Sequence, residues 1–234
     1  MKLSVIIPVY NEQSTISKIV KKIRLLKNID IELIVIDDCS NDNTREILKS
    51  KSLNSLIDKI IYLSQNKGKG YACRKGIENS SGELIIIQDA DLEYDPFNYH
   101  KLIKPFKNKN VQVVYGSRVI PGGKREIPKS FIFKLTYLAN YLLTALSNFL
   151  NKQNLTDAHT CYKIFNSKLL KSIKLQEDRF CFCPEITAKI SKKKIKIIEV
   201  PIDYYARTYK EGKKISFKDA ILSLYAVVKY NIKE

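Results

Sequence analysis

The chain has little cysteine, and its cysteines do not form the pattern of a disulfide framework or a zinc site. There are five, an odd number, and no two stand in a Cys-x-x-Cys pair. This usage is typical of reduced thiols in a cytosolic protein. Cys181 and Cys183 alternate as residues of a strand do, and we interpret them as small buried hydrophobic residues rather than ligands.

The chain also lacks a long uninterrupted apolar run. The aliphatic segment near the N-terminus, residues 3–7, is too short for a signal peptide. The most hydrophobic stretch, residues 131–150, is broken by Lys134, Asn140 and Asn148, whereas a membrane-spanning helix needs about 20 mostly apolar residues. These interruptions instead predict one or two amphipathic helices, either packed on the sheet or lying on a membrane surface.

Acidic residues are scarce beside basic ones. There are 24 Asp and Glu against 41 Lys and Arg, which gives a formal net charge of +17. Such a charge favours a polyanionic partner: a nucleotide, a nucleic acid or an anionic membrane. The carboxylates that are present cluster where predicted strands end, and they would repel a nucleic acid. A nucleic-acid-binding function is therefore the least favoured of the three.

Aliphatic runs alternate with helical patterns along the first part of the chain. The runs lie at residues 3–9, 31–36, 59–63 and 83–88, and helix-period segments follow each of them. Short connections between such units are typical of a mostly parallel sheet with helices on both faces, a three-layer α/β/α arrangement. Further strands are predicted at 112–115 and 195–201, and a last helix at 217–230.

The run at residues 84–87 ends at two carboxylates, Asp89 and Asp91, with Glu93 just beyond. At the carboxyl end of a central strand, such side chains project into the crevice where open α/β sheets bind ligands. Carboxylate oxygens there suit Mg²⁺ or Mn²⁺ shared with the phosphates of a nucleotide. The alternative is a strand that ends in a solvated acidic turn.

Four motifs together resemble the inverting glycosyltransferases of family 2, which have the GT-A fold. They are VIIPVYNE at 5–12, IVIDDCSND at 34–42, NKGKG at 66–70 and QDAD at 88–91. Later motifs are similar to those of dolichyl- or polyprenyl-phosphate mannose or glucose synthases: YGSR at 115–118, TD at 156–157, CYK at 161–163, PEI at 184–186, VPI at 200–202 and GKK at 212–214. The resemblance implies one domain over 1–234, with a nucleotide-binding half at 1–95, an acceptor half at 96–215 and a C-terminal helix at 216–234.

The same resemblance implies the roles of individual residues. The base and ribose of the nucleotide sugar would be lined by Pro8, Tyr10, Glu12, Ile36 and Asp38. Its diphosphate would be held at Asp89, Ala90 and Asp91 through Mg²⁺ or Mn²⁺, with Glu93 as a third metal ligand. Cationic residues would face the donor diphosphate or the acceptor phosphate: Lys67, Arg118, Arg207 and Lys213, with Lys124 and Arg125 as weaker candidates. The predicted catalytic set is Asp89, Asp91, Arg118, Asp157 and Arg207.

The acceptor decides which chemistry is needed. A lipid phosphate is already anionic near neutral pH, so it can attack the sugar without a general base. A hydroxyl acceptor, as in surface polysaccharide synthesis, would need a carboxylate base, for which Asp157 and Glu185 are the candidates. Both carboxylates could instead be structural, Asp157 as a turn cap and Glu185 as a charge at a helix start. For a lipid acceptor we expect peripheral docking on the cytoplasmic face of an anionic membrane, through residues 131–150 and the net positive charge.

Overall fold

The computed structural model describes residues 1–128, 130–179, 181–207 and 217–232. The strands are β1 (Lys2–Val9), β2 (Asp30–Asp37), β3 (Lys59–Tyr62), β4 (Leu84–Ile87), β5 (Val113–Ser117), β6 (Arg125–Glu126), β7 (Lys163–Asn166), β8 (Ile198–Pro201) and β9 (Tyr204–Tyr205). The α-helices are α1 (Ile16–Arg24), α2 (Thr44–Lys49), α3 (Lys51–Asn54), α4 (Lys69–Asn79), α5 (Tyr99–Ile103), α6 (Phe131–Asn151), α7 (Ser167–Lys171), α8 (Phe182–Lys192) and α9 (Phe217–Ile232), and short 3₁₀ helices span Pro96–Asn98 and Lys104–Lys107.

Seven strands form one sheet in the order β3-β2-β1-β4-β7-β5-β8. The pairs β1 with β2, β1 with β4, β2 with β3 and β5 with β8 are parallel, whereas β7 is antiparallel to both β4 and β5. The predicted mostly parallel sheet is therefore confirmed. Both predicted halves contribute to it, because β7 of the second half pairs with β4 of the first.

The alternation of aliphatic side chains along β1 builds a core on each face of the sheet. Val5 and Ile7 pack in one cluster with α1, and Ile6 packs in the other with residues of α4. On the second face the helix lies very close to the sheet: a Cβ placed on Gly76 would lie 2.3 Å from Cγ2 of Ile6. Glycine is therefore required there for close packing, and the three-layer arrangement follows from burial on both faces.

Residues 131–150 form a single helix, α6, which continues to Asn151. It packs against α8 and α9 but leaves many large apolar side chains exposed, among them Leu138, Tyr141 and Phe149. Across the described ranges, no helix combines the length and apolar character that a bilayer span requires. The segment forms one helix rather than two, and its buried side chains are the polar residues Thr144, Ser147 and Asn151.

The strand-like interpretation of Cys181 and Cys183 is wrong, because these residues begin a helix. Cys181 precedes α8 and Cys183 is its second residue, followed by Pro184 and Glu185 in the first turn. Proline is tolerated in the first turn of a helix because a backbone N–H at that position would have no acceptor within the helix. A negatively charged side chain such as that of Glu185 is favoured there by the helix dipole. A two-residue alternation is too short to distinguish the two periods.

Candidate active site

The loop after β4, residues 88–93, is held by a buried hydrogen-bond network centred on Gln88. Its Oε1 accepts from the hydroxyls of Tyr99 (2.6 Å) and Tyr162 (2.5 Å), and its Nε2 donates to the carbonyl oxygen of Asp89 (2.9 Å). Because Gln88 is fully buried, each of these bonds is protected from competition by water. The network fixes the backbone from which Asp89 projects.

The next turn of the loop is closed by Asp91 itself. The backbone N–H of Glu93 donates to Oδ1 of Asp91 (3.1 Å), and Leu92 between them has a φ of 66°. Leu92 thus has the left-handed conformation that residues other than glycine rarely adopt, and the Asp91 carboxylate closes the turn around it. The second oxygen of Asp91, Oδ2, accepts a hydrogen bond from the guanidinium of Arg207.

Two cations reach these carboxylates from distant parts of the chain. Lys69, the first residue of α4, forms an ion pair with Asp89. Arg207, which follows β9, donates from Nη2 to Asp91 (3.0 Å) and from Nη1 to Glu12 (3.3 Å). The structure thus brings Glu12, Asp91 and Arg207 together, although their sequence positions are widely separated.

Three carboxylates at the loop, those of Asp89, Asp91 and Glu93, face two cations, Lys69 and Arg207. Burial, together with the neighbouring carboxylates of Asp89 and Glu93, raises the pKa of Asp91 to about 7, although Arg207 opposes the shift. Burial by itself would raise the pKa of Asp89, but the ammonium of Lys69 has the larger effect, so the net pKa is lowered. An excess of buried carboxylate charge is the environment that a divalent cation with oxygen ligands stabilises. Asp89 and Asp91 therefore fit Mg²⁺ or Mn²⁺.

Glu93 does not join them as the sequence predicted. Its Oε2 accepts from the hydroxyl of Tyr204 (2.9 Å), and its Oε1 accepts from the backbone N–H of Arg207 (2.9 Å). Both oxygens anchor the segment that carries Arg207. In the part of the chain that the structure describes, no three His, Cys, Asp or Glu side chains are gathered as ligands of one ion.

The predicted nucleotide pocket is brought together in part. Pro8 and Tyr10 are half-buried at the end of β1, beside the buried carboxylates of Glu12 and Asp38. Ile36 does not join them, because its side chain is fully buried and lies against α4 in the core.

Asp38 joins the end of β2 to the glycine-rich turn before α4. Its carboxylate accepts from the backbone N–H groups of Lys67 (2.8 Å) and Gly68 (2.7 Å). Burial raises its pKa, and these two bonds oppose the shift. The turn therefore lies against the end of β2 through Asp38, while the side chain of Lys67 lies over the ring of Tyr71, 4.7 Å from its centroid.

Arg118 and Asp157 form an ion pair at the end of β5. Nε and Nη2 of Arg118 donate to the two carboxylate oxygens at 2.7 and 2.8 Å, and the guanidinium lies 5.1 Å from the ring centroid of Tyr204. The backbone N–H of Asp157 in turn donates to Glu199 (2.9 Å). Burial by itself would raise the pKa of Asp157, but the positive charge of Arg118 has the larger effect and holds the pKa below its usual value.

Glu185, the other candidate base, is engaged by backbone groups. Its two oxygens accept from the N–H groups of Gln176 (2.7 Å) and Glu177 (2.9 Å), and Lys189 pairs with it at 2.8 Å. The side chain is fully buried. The structure thus gives Glu185 the structural role of fixing the loop before α8.

Lys124 and Arg125, the weaker predicted cations, have contacts outside the carboxylate loop. The backbone N–H of Lys124 donates to Asp203 (2.6 Å), and Arg125 lies over the ring of Tyr137 at 4.9 Å. Lys213 and the GKK motif lie outside the described residues. Lys69 was not in the predicted site, and the basic character of the NKGKG turn was the only sequence indication of its ion pair.

The chain matches one family profile and several curated proteins. Residues 4–174 match the profile described as glycosyl transferase family 2. A dolichol-phosphate mannosyltransferase of Pyrococcus furiosus is 31% identical over 216 residues, which cover 91% of this chain and 59% of that protein. A dolichyl-phosphate beta-glucosyltransferase of Trichomonas vaginalis is 26% identical over 218 residues, which cover 86% of this chain and 65% of that protein. This chain thus spans about three fifths of the length of these two relatives.

Solved structures show the same fold at lower sequence identity. Glucosyl-3-phosphoglycerate synthase from Mycobacterium tuberculosis, in complex with Mn²⁺ and UDP-glucose, superposes with a TM-score of 0.74 at 18% identity. The match covers 98% of this chain and 79% of that one. At this identity the likeness establishes the fold alone, and the GT-A fold predicted from the sequence is confirmed.

Proposed function

Because this chain belongs to glycosyl transferase family 2, we propose that it is a metal-dependent inverting hexosyltransferase that uses a polyprenyl or dolichyl phosphate as acceptor. The donor is a nucleotide sugar, GDP-mannose or UDP-glucose. The names of the relatives from Pyrococcus and Trichomonas support the lipid-phosphate acceptor. The observation that carries the proposal is the pair of buried carboxylates, Asp89 and Asp91, at the carboxyl end of β4.

The donor half of the site follows from that pair. Asp89 and Asp91 would hold Mg²⁺ or Mn²⁺, and a metal ion there would offset charge on the leaving nucleoside diphosphate. Arg207 lies beside Asp91 and offers a second positive charge to the same diphosphate. Pro8, Tyr10, Glu12 and Asp38 line the base and ribose, and Lys67 lies on the turn next to Asp38. Lys213, outside the described residues, is retained as a candidate from the family motif alone.

The acceptor half is built around Arg118. An anionic phosphate attacks the anomeric carbon without a base, so the enzyme has to position it and offset its charge. Arg118 presents a guanidinium of fixed orientation at the end of β5, because Asp157 holds it at two points. A hydroxyl acceptor would need a free carboxylate, and both predicted bases, Asp157 and Glu185, are engaged by cations and backbone N–H groups.

The exposed side of α6 supplies the route to a lipid. Phe131 and Phe149, near its two ends, are 79% and 81% exposed, and Tyr141 between them is 63% exposed. An apolar helix face beside a basic protein surface is suited to the headgroup region of an anionic bilayer. We place the enzyme peripherally at the cytoplasmic face of the membrane, with α6 in contact with lipid.

Transfer of label from donor to lipid tests the proposal. Purified protein is incubated with Mn²⁺, a panel of labelled nucleotide sugars and a short polyprenyl phosphate, and the organic phase is counted. We expect label in that phase from one donor only. Label on a glycan acceptor with none in lipid would instead support the hydroxyl-acceptor alternative.

Asp91→Asn is expected to abolish this transfer while leaving the thermal unfolding profile unchanged. Asp95→Asn, a change of the same kind four residues along the chain, is the control. Asp95 pairs with Lys22 (3.0 Å) and caps the 3₁₀ helix at Pro96–Asn98. Full activity in Asp91→Asn would remove this carboxylate from the metal site.

A further inference from the structure

Lys69 places an internal cation against one of the two candidate metal ligands. It is the first residue of α4, and its ammonium forms an ion pair with Oδ1 of Asp89. The same ammonium donates to the sulfur of Cys161 (3.4 Å), just before β7. The side chains of Lys69 and Asp89 are only 19% and 15% exposed, so solvent and salt screen their interaction weakly.

The backbone that carries this ammonium is fixed on two sides. The turn before α4 donates two N–H groups to Asp38, and the N–H of Tyr71 donates to the carbonyl oxygen of Asp178 (3.1 Å). A Cβ on Gly70 would collide with the carbonyl oxygen of Glu177, so the start of α4 is closely packed on that side. Lys69 therefore meets Asp89 from a fixed point of the fold.

The stability of α4 does not explain a lysine at this position. The N-terminus of an α-helix carries partial positive charge, so a cation in its first turn is unfavourable for the helix. Neighbouring lysines have other contacts: Lys67 lies over the ring of Tyr71, and Lys75 pairs with Glu78 at 2.8 Å. The position of Lys69 is accounted for by its contacts at the carboxylate loop.

We propose that Lys69 is an internal counter-ion that opposes metal binding at Asp89 and thereby sets the affinity of the site for Mg²⁺ or Mn²⁺. In the metal-free protein its ammonium compensates a carboxylate that would otherwise be buried without a partner. A divalent cation that binds Asp89 is repelled by an ammonium on the same carboxylate. One contact therefore stabilises the metal-free fold and weakens the metal site. The inference rests on the metal assignment in the proposed function, but not on the sugar or the acceptor.

Binding of Mn²⁺ alone, without nucleotide or lipid, tests this role. The dissociation constant is measured by electron paramagnetic resonance for the wild type, Lys69→Met, Lys69→Arg and the control Lys75→Met. Methionine removes the charge at similar side-chain length, whereas arginine keeps the charge. We expect Lys69→Met to bind Mn²⁺ roughly tenfold more tightly or better, because one repulsive charge is lost, and the other two variants to match the wild type. A lysine that only holds Asp89 in position predicts the opposite, a weaker site in Lys69→Met.

Thermal unfolding of the same proteins gives a second readout. Without metal, Lys69→Met should melt below the wild type, because Asp89 has lost its counter-ion, and saturating Mn²⁺ should raise its melting temperature by more than that of the wild type. Lys69→Gln keeps a hydrogen-bond donor for Asp89 but not the charge. It is expected to show the same tighter binding, and it replaces Lys69→Met if that variant does not fold.

Adding Asp91→Asn to Lys69→Met locates the tighter site, because the gain in affinity should then disappear; a gain that persists would overturn the proposal. Equal or weaker Mn²⁺ binding by Lys69→Met than by the wild type would also overturn it and would leave the metal assignment standing. If no protein in the series binds Mn²⁺, the metal assignment and the role of Lys69 fail together. A negative result in the transfer assay alone concerns the proposed function and not Lys69.

Discussion

Replacing Asp157 by alanine is the most demanding test of the site as described. The side chains of Arg118 and Asp157 are 13% and 4% exposed, and the carboxylate accepts from Nε, Nη2 and the backbone N–H of Arg118. Removing one partner of such a buried pair leaves an uncompensated charge, which costs about 3 to 5 kcal/mol. For a chain of this size, 1 kcal/mol lowers the melting temperature by roughly 2 to 4 °C. We therefore expect Asp157→Ala to melt roughly 6 to 20 °C below the wild type.

Asp203→Ala provides a matched control. Asp203 also accepts from a backbone N–H, that of Lys124 (2.6 Å), and pairs with a lysine, Lys101, at 3.7 Å. Its side chain is 23% exposed, so its loss should cost about 1 kcal/mol or less. Both variants are followed by thermal unfolding and by urea titration. A shift in Asp157→Ala no larger than that of Asp203→Ala would refute the inference that this pair holds Arg118 in place.

Three further outcomes are expected. Burial, with Lys163 nearby, lowers the pKa of His159 to about 4. The neutral imidazole therefore contributes about 3 kcal/mol to the free energy of unfolding above pH 6.5, and this contribution is lost as the pH falls toward 4. His159→Gln should flatten that slope in urea titrations, and His100→Gln should not. Burial would raise the pKa of Glu32, but bonds from Ser4, Ser81 and Lys59 lower it to about 2. Ionised Glu32 contributes about 3 kcal/mol to the free energy of unfolding above pH 4.5, and this contribution is lost as the pH falls toward 2. Glu32→Gln should therefore be less stable than the wild type at pH 7 and equally stable near pH 2. Leu138→Asp on α6 should weaken binding to anionic vesicles, measured by sedimentation, roughly 10- to 150-fold, because burying one leucine contributes about 1.5 to 3 kcal/mol. Phe97→Asp, at an exposed site on a 3₁₀ helix, should leave vesicle binding unchanged.

Each of these outcomes has a contrary result. A pH slope that persists in His159→Gln would place the titrating group elsewhere. A Glu32→Gln protein as stable as wild type at pH 7 would show that the four bonds to this carboxylate contribute little. Equal vesicle binding by the wild type and Leu138→Asp would exclude this part of α6 from the membrane contact.

The sequence predicted the features that depend on short-range patterns. Buried parallel strands are continuous aliphatic runs, so residues 84–87 could be assigned to a strand, and the polar residues after it to a ligand-binding edge. The predicted family is confirmed by the profile match over residues 4–174. All of this information lies within segments of about ten residues.

What the sequence did not predict depends on long-range packing. Ile36 belongs to a family motif at the end of a strand, but the alternation of that strand places its side chain in the core. Glu93 stands near two carboxylates in sequence, yet Tyr204, which holds it, lies over a hundred residues away. The ion pair between Lys69 and Asp89 could not be predicted for the same reason, because the local sequence does not distinguish Lys69 from the neighbouring lysines as the partner of Asp89.

The antiparallel strand β7 has a consequence for how the chain is made. β4, the fully buried strand Leu84–Ile87, pairs with β1 on one side and with β7 on the other. During synthesis the second side stays unpaired until roughly 75 more residues have followed, which takes roughly 4 to 15 s at typical ribosome speeds. For that time the nascent protein presents an apolar strand edge next to the future carboxylate loop, the kind of surface that pairs with other chains. Slow translation between residues 88 and 163 would therefore expose the growing chain to aggregation at the strand from which the carboxylate loop later projects.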